Sequence, residues 1–167
     1  MEIQFTLNGR KVKAGITPST VLLDVVREKG CYSVKRGCET SNCGLCTVWL
    51  DGMPVLSCST LAVRAEGREV TTLEGLSKEA EAFGLYLARE GGEQCGFCSP
   101  GLIMNVLAME RELDHPDLDA IKEFLAGNLC RCTGYASQLR AIEKYLADRP
   151  RHPDPQAWGQ QQGGIDK

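Results

Sequence analysis

The sequence predicts an α+β chain in two parts, with strands around one helix over residues 1–76 and four helices over residues 77–148. Two patterns support this prediction. Apolar residues alternate around two-residue turns in the first part, and after Ser77 they recur with a helical period. Eight of the nine cysteines form two sets of four, one set in each part. Residues 149–167 are rich in proline, glutamine and glycine and are predicted to form a separate tail.

The first part is predicted to be a small β-grasp domain, because two strand pairs and a last strand surround one helix. Ser19 or Thr20 is expected to cap that helix, since both follow Pro18 and precede an apolar stripe. The predicted elements are a hairpin over residues 2–14 that turns at Asn8-Gly9, a helix that ends at Gly30, a hairpin over residues 47–58 that turns at Asp51-Gly52, and a strand over residues 69–73.

The second part is predicted to be a compact four-helix bundle. Ser99 and Pro100 fit a helix start, with a cap and a first-turn proline, and Asp117 fits another cap. A cysteine pair precedes the second helix and another precedes the fourth, so both pairs are expected at helix N-termini, which stabilise thiolate charge. The predicted helices cover residues 78–90, a segment from residue 99, a segment from residue 117 to before Gly127, and residues 136–148.

Charge and hydropathy exclude two classes of protein. Lysine and arginine number 19 against 22 acidic residues, so the chain lacks the basic excess that binds nucleic acid. The longest uncharged run covers residues 94–109 and contains Pro100. At 16 residues it is too short for a membrane span. The first residues alternate and show no secretory signal, so a cytoplasmic protein is expected.

The first cysteine set has the spacing C-x4-C-x2-C-x11-C and predicts a [2Fe–2S] cluster of the plant-type ferredoxin kind. Structural zinc is the alternative, although it more often takes two compact pairs of ligands, and disulfides are disfavoured in a reducing compartment. Because the insert between the first two ligands has no glycine, Ser41 and Asn42 are expected to satisfy the turn, with Asn42 at left-handed torsions. The predicted ligands are Cys38, Cys43, Cys46 and Cys58.

The second set has the spacing C-x2-C-x31-C-x-C, and two such pairs can hold a second small cluster from both sides. Zinc is a stronger alternative here, because two cysteine pairs are its usual arrangement. A Rieske centre is excluded, since His115 and His152 lie outside any Cys-x-His pattern. The ninth cysteine, Cys31, belongs to neither set and is predicted to be a buried small hydrophobic residue. The predicted ligands of the second set are Cys95, Cys98, Cys130 and Cys132.

The motifs around these cysteines resemble those of the small iron–sulfur subunit of the molybdenum hydroxylases, over residues 1–148. That family includes xanthine dehydrogenases, aldehyde oxidoreductases, nicotinate dehydrogenase and carbon monoxide dehydrogenases. The resemblance favours iron over zinc in the second set. It is carried by Gly37-Cys38, Cys43-Gly44-Leu45-Cys46-Thr47, Cys58, residues 94–101 (QCGFCSPG) and residues 127–135 (GNLCRCTGY).

The resemblance implies a two-cluster electron relay within a hetero-oligomer. A large partner subunit would hold the molybdenum–pterin cofactor, and an FAD-binding medium subunit would take the electrons onward. The resemblance places Gln94 and Cys132 against the pterin, whereas a helix-cap or surface amide is the alternative for Gln94. Catalytic residues are expected in the large subunit and none in this chain.

Three classes of function compete for this sequence. The first is the electron-transfer subunit of a molybdenum hydroxylase that acts on a purine or another nitrogen heterocycle, or else on an aldehyde or carbon monoxide. The second is a free two-cluster ferredoxin, which the net charge of −3 disfavours because free carriers are usually steered by strong acidity. The third is a zinc-stabilised scaffold without a redox role. Iron content and colour distinguish the first two from the third.

Overall fold

The computed structural model describes residues 1–148, and within that range it contains one five-stranded sheet and five α-helices. Short 3₁₀ helices cover Ala62–Ala65 and Leu73–Gly75. The predicted tail at residues 149–167 lies outside the described residues. The elements are β1 Glu2–Leu7, β2 Arg10–Gly15, α1 Leu22–Glu28, β3 Thr47–Leu50, β4 Met53–Leu56, β5 Glu69–Thr71, α2 Ser77–Arg89, α3 Ser99–Glu112, α4 Leu118–Phe124 and α5 Ala136–Asp148.

The sheet joins both predicted hairpins in the order β2-β1-β5-β3-β4. β1 pairs antiparallel with β2 and parallel with β5, and β3 pairs antiparallel with both β5 and β4. In the two hairpin turns the central residues have positive φ, 49° and 76° at Asn8-Gly9 and 51° and 80° at Asp51-Gly52. These torsions give the two-residue turns whose twist matches that of the strands.

Helix α1 starts without the side-chain cap that its sequence predicts. Its N-cap is Val21, and the hydroxyl of Thr20 instead accepts a hydrogen bond of 2.9 Å from the backbone N–H of Thr17. The first free N–H groups of the helix, at Leu22 and Leu23, donate to backbone carbonyls of the segment after β4, at 2.8 and 3.1 Å. These backbone contacts satisfy the free N–H groups that a side-chain cap would otherwise bind. The prediction that Ser19 or Thr20 caps the helix is therefore wrong.

Two strands end earlier than predicted. The return strand of the second hairpin is Met53–Leu56, and the last strand stops at Thr71 because the chain enters a 3₁₀ turn at Leu73. Ser57 leaves the strand pairing, although its backbone N–H and hydroxyl still donate to the carbonyl of Cys46, at 3.2 and 2.7 Å. These bonds hold the chain just before Cys58 against the loop that contains Cys46.

Strand β3 is buried on both faces of the sheet. Val48 and Leu50 belong to the core beneath α1, whereas Trp49 belongs to the core formed with α3. The indole Nε1–H of Trp49 donates to the carbonyl of Met104 at 3.1 Å, and the guanidinium of Arg111 lies 4.9 Å from the ring centroid. The helical part of the chain is thus packed directly on the sheet.

The helices share a core that includes Ile142 and Tyr145 on α5, both fully buried. The ring of Tyr145 lies 5.0 Å from that of Phe83 on α2, in a tilted arrangement. Asp117 caps α4 as predicted and accepts a 2.8 Å bond from the N–H of Ala120. At the start of α3 the N-cap is Cys98, whereas the predicted cap is Ser99. In the described part of the chain, no helix is both long and apolar enough to cross a membrane.

Candidate metal centres

The loop between α1 and β3 brings the first cysteine set together as two sulfur pairs. Cys38 and Cys43 form one hydrogen-bonded pair of thiols. Cys46, at the end of the loop, forms the other with Cys58, which β4 and the following turn bring back to it. The loop and the turn after β4 thus bring the four predicted ligands of the first set together in two pairs.

Backbone N–H groups in the insert point at the sulfur of Cys38. Thr40 and Asn42 donate to Cys38 Sγ at 3.5 and 3.4 Å. The residues with left-handed torsions are Glu39 and Ser41, at φ 54° and 61°, and each one turns the N–H of the residue after it toward the sulfur. The prediction that Asn42 itself takes left-handed torsions is therefore wrong. Such alternating N–H groups are typical of loops that bind an anion.

The electrostatics of the first centre divide its thiols into two kinds. The N–H donors of Thr40 and Asn42 lower the pKa of Cys38 to about 6. Burial raises the pKa of Cys43 and raises that of Cys46 to about 11. A buried thiolate needs a compensating charge. Cys43 and Cys46, the two buried cysteines of this set, are therefore suited to metal coordination rather than to being free thiolates.

The second cysteine set also meets as two sulfur pairs, and each pair takes one cysteine from each motif. Cys132 Sγ lies 3.6 Å from Cys95 Sγ, and Cys98 is hydrogen-bonded to Cys130. A tetrahedral metal with metal–sulfur bonds of about 2.3 Å, as in zinc sites, holds two thiolates about 3.8 Å apart. The spacing of the exposed pair therefore fits two ligands of one metal ion.

Polar groups from the turn before α5 surround the second centre. The hydroxyl of Thr133 donates to Cys130 Sγ at 3.2 Å, and the N–H of Cys130 donates to the hydroxyl of Tyr135 at 2.9 Å. Burial opposes ionisation of Cys130, but hydrogen bonds from Thr133, Cys132 and Cys98 together outweigh it and lower its pKa to about 7. Burial, together with the neighbouring Cys130, raises the pKa of Cys98 to about 11. The two thiols of this pair are therefore tuned in opposite directions.

Of the two cysteine motifs of the second set, only the first, Cys95-x2-Cys98, adjoins a helix N-terminus as predicted. Cys98 is the N-cap of α3, where the helix dipole favours negative charge. Cys130 and Cys132 lie in the turn ahead of α5, which begins at Ala136. The dipole of α3 therefore favours negative charge at Cys98. At Cys130, before α5, the hydroxyl of Thr133 serves this purpose instead.

The arrangement in sulfur pairs fits clusters of two irons. A [2Fe–2S] cluster with four cysteine ligands takes two thiolates on each of its irons, and each set supplies two pairs. Within residues 1–148, no three His, Cys, Asp or Glu side chains are grouped closely enough to hold a single ion. The donor atoms of both sets are all sulfur, which suits iron–sulfur chemistry.

The two centres adjoin each other through a tight contact. The backbone N–H of Leu129, next to Cys130, donates to the carbonyl of Cys43 at 3.0 Å. A Cβ atom on Gly101 of α3 would lie 2.3 Å from the carbonyl oxygen of Gly44, so only glycine allows the helix to approach the first loop. The ligand loops are thus in direct backbone contact.

Two family models match the chain. The model of the 2Fe-2S iron-sulfur cluster binding domain matches residues 5–77, and that of the [2Fe-2S] binding domain matches residues 72–143. Each matched range contains one complete cysteine set. The chain therefore carries two [2Fe–2S] clusters, as its cysteine spacing predicts.

Relatives and solved structures agree with this match. The chain is 45% identical over 144 residues to the xanthine dehydrogenase iron-sulfur-binding subunit of Escherichia coli O157:H7, which covers 84% of this chain and 91% of that protein. Quinoline 2-oxidoreductase from Pseudomonas putida 86 superposes with a TM-score of 0.81 at 39% identity, over 89% of this chain and 94% of that one. The chain belongs to the iron–sulfur subunits of the molybdenum hydroxylases. As such, it transfers electrons within a molybdenum-dependent oxidoreductase.

The same architecture also occurs within longer proteins of the family. Aldehyde oxidoreductase from Desulfovibrio gigas superposes with a TM-score of 0.79 at 33% identity, over 88% of this chain but 17% of that one. The iron–sulfur subunit thus corresponds to one portion of a larger polypeptide there. Elsewhere in the family, as in the E. coli relative, it is a chain of its own.

The remaining predicted site residues of this iron–sulfur subunit lie in two places. Gln94 and Cys132 are both exposed, at the same end of the helical part as Cys95. Cys31 is buried, with 5% of its surface exposed, and accepts a 3.7 Å hydrogen bond from the amide of Asn8. It belongs to the core beneath α1, which agrees with a packing role.

Sequence reasoning missed the polar groups that surround the cluster sulfurs. Thr133 and Tyr135 lie within the motif that carries the family resemblance, so their position next to the cysteines was a usable signal. Gln138 donates to Cys98 Sγ at 3.7 Å, and it occupies an inward position of α5 where an apolar residue is expected. Its spacing from Ile142 and Tyr145, four and seven residues further on, is the signal that places it on the inward face of α5.

Proposed function

We propose that this subunit takes electrons from a molybdenum–pterin centre in a partner subunit at its second cluster and passes them through its first cluster to a flavin subunit or external acceptor. The proposed ligands of the second cluster are Cys95, Cys98, Cys130 and Cys132, and those of the first are Cys38, Cys43, Cys46 and Cys58. The observation that carries the proposal is the backbone contact between the two ligand loops, from Leu129 N–H to the Cys43 carbonyl. This contact places the two centres next to each other, so that an electron can pass from one cluster to the other.

The direction of transfer is supported by a difference in exposure. In the second centre, Cys95 and Cys132 are both exposed, and Gln94 lies beside them, so a cofactor in a partner can contact them. In the first centre, Cys43 and Cys46 are buried, and the outer side is formed by the insert that follows Cys38. Entry at the second cluster and exit past the Cys38 side is the simplest route through the chain.

We further propose a division into a β-grasp plant-type ferredoxin domain over residues 1–76 and a four-helix [2Fe–2S] domain over residues 77–148. The ranges of the two family models, 5–77 and 72–143, support a boundary near α2. The sheet with α1 on one face supports the first assignment, and the shared core of the later helices supports the second.

The proposed partners are a large molybdenum–pterin subunit and an FAD-binding medium subunit, in a cytoplasmic hetero-oligomer. Large apolar side chains are exposed around the second centre, at Phe97, Leu129 and Tyr135. A cluster of exposed apolar groups at one end of a protein is typical of an interaction surface. The large subunit is expected to cover this end.

For the substrate of the complex, we propose a purine or another nitrogen heterocycle. The relatives named for xanthine and quinoline oxidation support this class. The alternatives are an aldehyde, supported by the likeness to the D. gigas aldehyde oxidoreductase, and carbon monoxide. Assays of the native complex against these three classes separate them, since turnover of aldehydes or carbon monoxide without turnover of any purine or other nitrogen heterocycle contradicts the proposal.

The role of Gln94 provides a direct test of the entry point. Gln94→Ala is expected to slow reduction of the second cluster by substrate about 2- to 10-fold, because it removes one hydrogen bond to the pterin but no cluster ligand. Rapid-freeze electron paramagnetic resonance of the native complex follows both clusters after substrate is added. Gln4→Ala, at an exposed glutamine on β1, is the matched control and should leave the rate unchanged.

A second variant tests the order of the clusters. Cys43→Ala should remove the first cluster, let substrate reduce the second, and block passage to the flavin or acceptor. Cys95→Ala should instead prevent both reductions. If the first cluster were still reduced at the normal rate after loss of the second, electrons would enter elsewhere and the proposed route would be wrong.

A further inference from the structure

Gln138 is a buried amide beside the second centre. It lies in the first turn of α5 with 4% of its surface exposed, and its Nε2–H donates to Cys98 Sγ at 3.7 Å. In the described part of the chain, this is the hydrogen bond that the structure gives the amide. Since a buried polar group costs stability unless it is hydrogen-bonded, the amide depends on the sulfur for its compensation.

The position itself does not require an amide. The neighbouring inward residues of α5, Ala141, Ile142 and Tyr145, are all fully buried in the helical core. A leucine of similar length would continue that apolar face without any unpaired polar atom. What glutamine adds at this position is an amide, one N–H of which is directed at a cysteine sulfur.

We propose that Gln138 sets the reduction potential of the second cluster, by donating a hydrogen bond to the cluster sulfur of Cys98. This inference rests on the proposed function, in which Cys98 is a ligand. Reduction adds one electron, supplied by the molybdenum partner, and breaks no bond. The added negative charge is shared by the sulfur atoms. An N–H donor stabilises the more negative, reduced form more strongly and so raises the potential.

The amide also lies on the side of the second centre that faces the first. Gln138 lines one cavity together with Cys98, Cys130 and, from the first centre, Cys43 and Leu45. A donor placed there favours arrival of an electron at the second cluster and reduces the driving force for its onward transfer. Gln138 thus acts on the potential difference between the two clusters and is a positioning residue, not a cluster ligand.

The test is a redox titration of the full-length subunit in its native complex, followed by electron paramagnetic resonance. Gln138→Leu is expected to disfavour reduction of the second cluster about 3- to 10-fold, where a tenfold change is about 59 mV for one electron. The first cluster should keep its potential and serves as the internal control. Because leucine suits the apolar core, the thermal midpoint should not fall. Gln4→Leu is the matched control at an exposed site.

Gln138→Met keeps the length of the side chain but has no N–H donor. It should lower the potential of the second cluster by about as much as leucine does. Electron–nuclear double resonance of the reduced wild type, compared in ordinary and heavy water, should show an exchangeable proton coupled to the second cluster that both variants lack, in addition to the proton of the Thr133 hydroxyl, which all three proteins retain. An unchanged second-cluster potential in both variants, an equal shift in both clusters, or retention of the proton that the variants should lack would overturn the proposal.

Failure of the proposed function is detected separately in the wild-type protein. If its iron content or its number of resonance signals did not correspond to two clusters, or if Cys98→Ala left the second signal intact, the ligand assignment would be wrong. If the wild type does contain two clusters and Cys98→Ala does remove the second signal, the ligand assignment stands. An unchanged second-cluster potential in Gln138→Leu would then contradict only the proposed role of Gln138.

Discussion

Replacing Cys130 by alanine is expected to abolish the second cluster and to loosen the helical part of the subunit, while the first cluster still assembles. Cys130 lies before α5 and pairs with Cys98 at the start of α3, so the metal joins two helices. Metal binding that joins separate elements contributes to folding free energy, and its loss should lower the free energy of unfolding. Iron content should fall by half, and the thermal midpoint should fall with it.

Cys31→Ala is the matched control, because it makes the same substitution at a cysteine that is even more deeply buried. Both resonance signals and the full iron content should remain, since Cys31 belongs to neither sulfur set. An unchanged thermal midpoint and helical content in Cys130→Ala would show that the helical part is stable without its cluster. Loss of either signal in Cys31→Ala would show that the ligand assignment is wrong.

Gly101→Ala is expected to separate the two centres. The added Cβ would lie 2.3 Å from the Gly44 carbonyl oxygen and 3.1 Å from the Cα of Leu45, both backbone atoms that no rotamer change can move. The start of α3 must therefore shift, which should cost about 1–3 kcal/mol, as overpacking of a tight contact does. Electrons should accumulate on the second cluster, because the shift disturbs the Leu129–Cys43 hydrogen bond beside it.

Gly84→Ala provides the matched control in a helix. Nothing lies within 4 Å of a Cβ at Gly84, in the middle of α2. There alanine should stabilise the subunit by about 0.5–1 kcal/mol and leave transfer between the clusters unchanged. Thermal unfolding and rapid-freeze resonance measure both effects. If Gly101→Ala were also stabilising, the close approach of α3 to the first loop would be absent in solution.

Much of the secondary structure is predictable because local signals determine it. The Asn8-Gly9 and Asp51-Gly52 turns, the Asp117 cap and the last helix all follow from turn chemistry and helical periodicity. The start of α1 does not, because its free N–H groups are satisfied by carbonyls from the segment after β4, more than thirty residues away. A cap supplied by tertiary contact leaves no local pattern to find.

The site shows the same division between local and distant effects. Cysteine spacing predicts two sets of four sulfurs, one in each part of the chain. It does not predict that Cys95 pairs with Cys132 and Cys98 with Cys130, because this depends on how α3 and the turn before α5 meet. Nor does it predict the left-handed torsions at Glu39 and Ser41, which no glycine marks.

The position of Trp49 bears on whether the two cluster-binding parts can exist apart. Its side chain leaves the sheet on the face opposite α1 and finds its hydrogen-bond acceptor in the middle of α3. A chain cut after residue 76 would therefore expose an indole, together with the sheet face around it, and leave its N–H without the Met104 carbonyl. The boundary between the two family models is thus a position in the sequence, and the two parts remain packed against each other there. Transplanting the first part alone as an electron carrier would require redesign of that face.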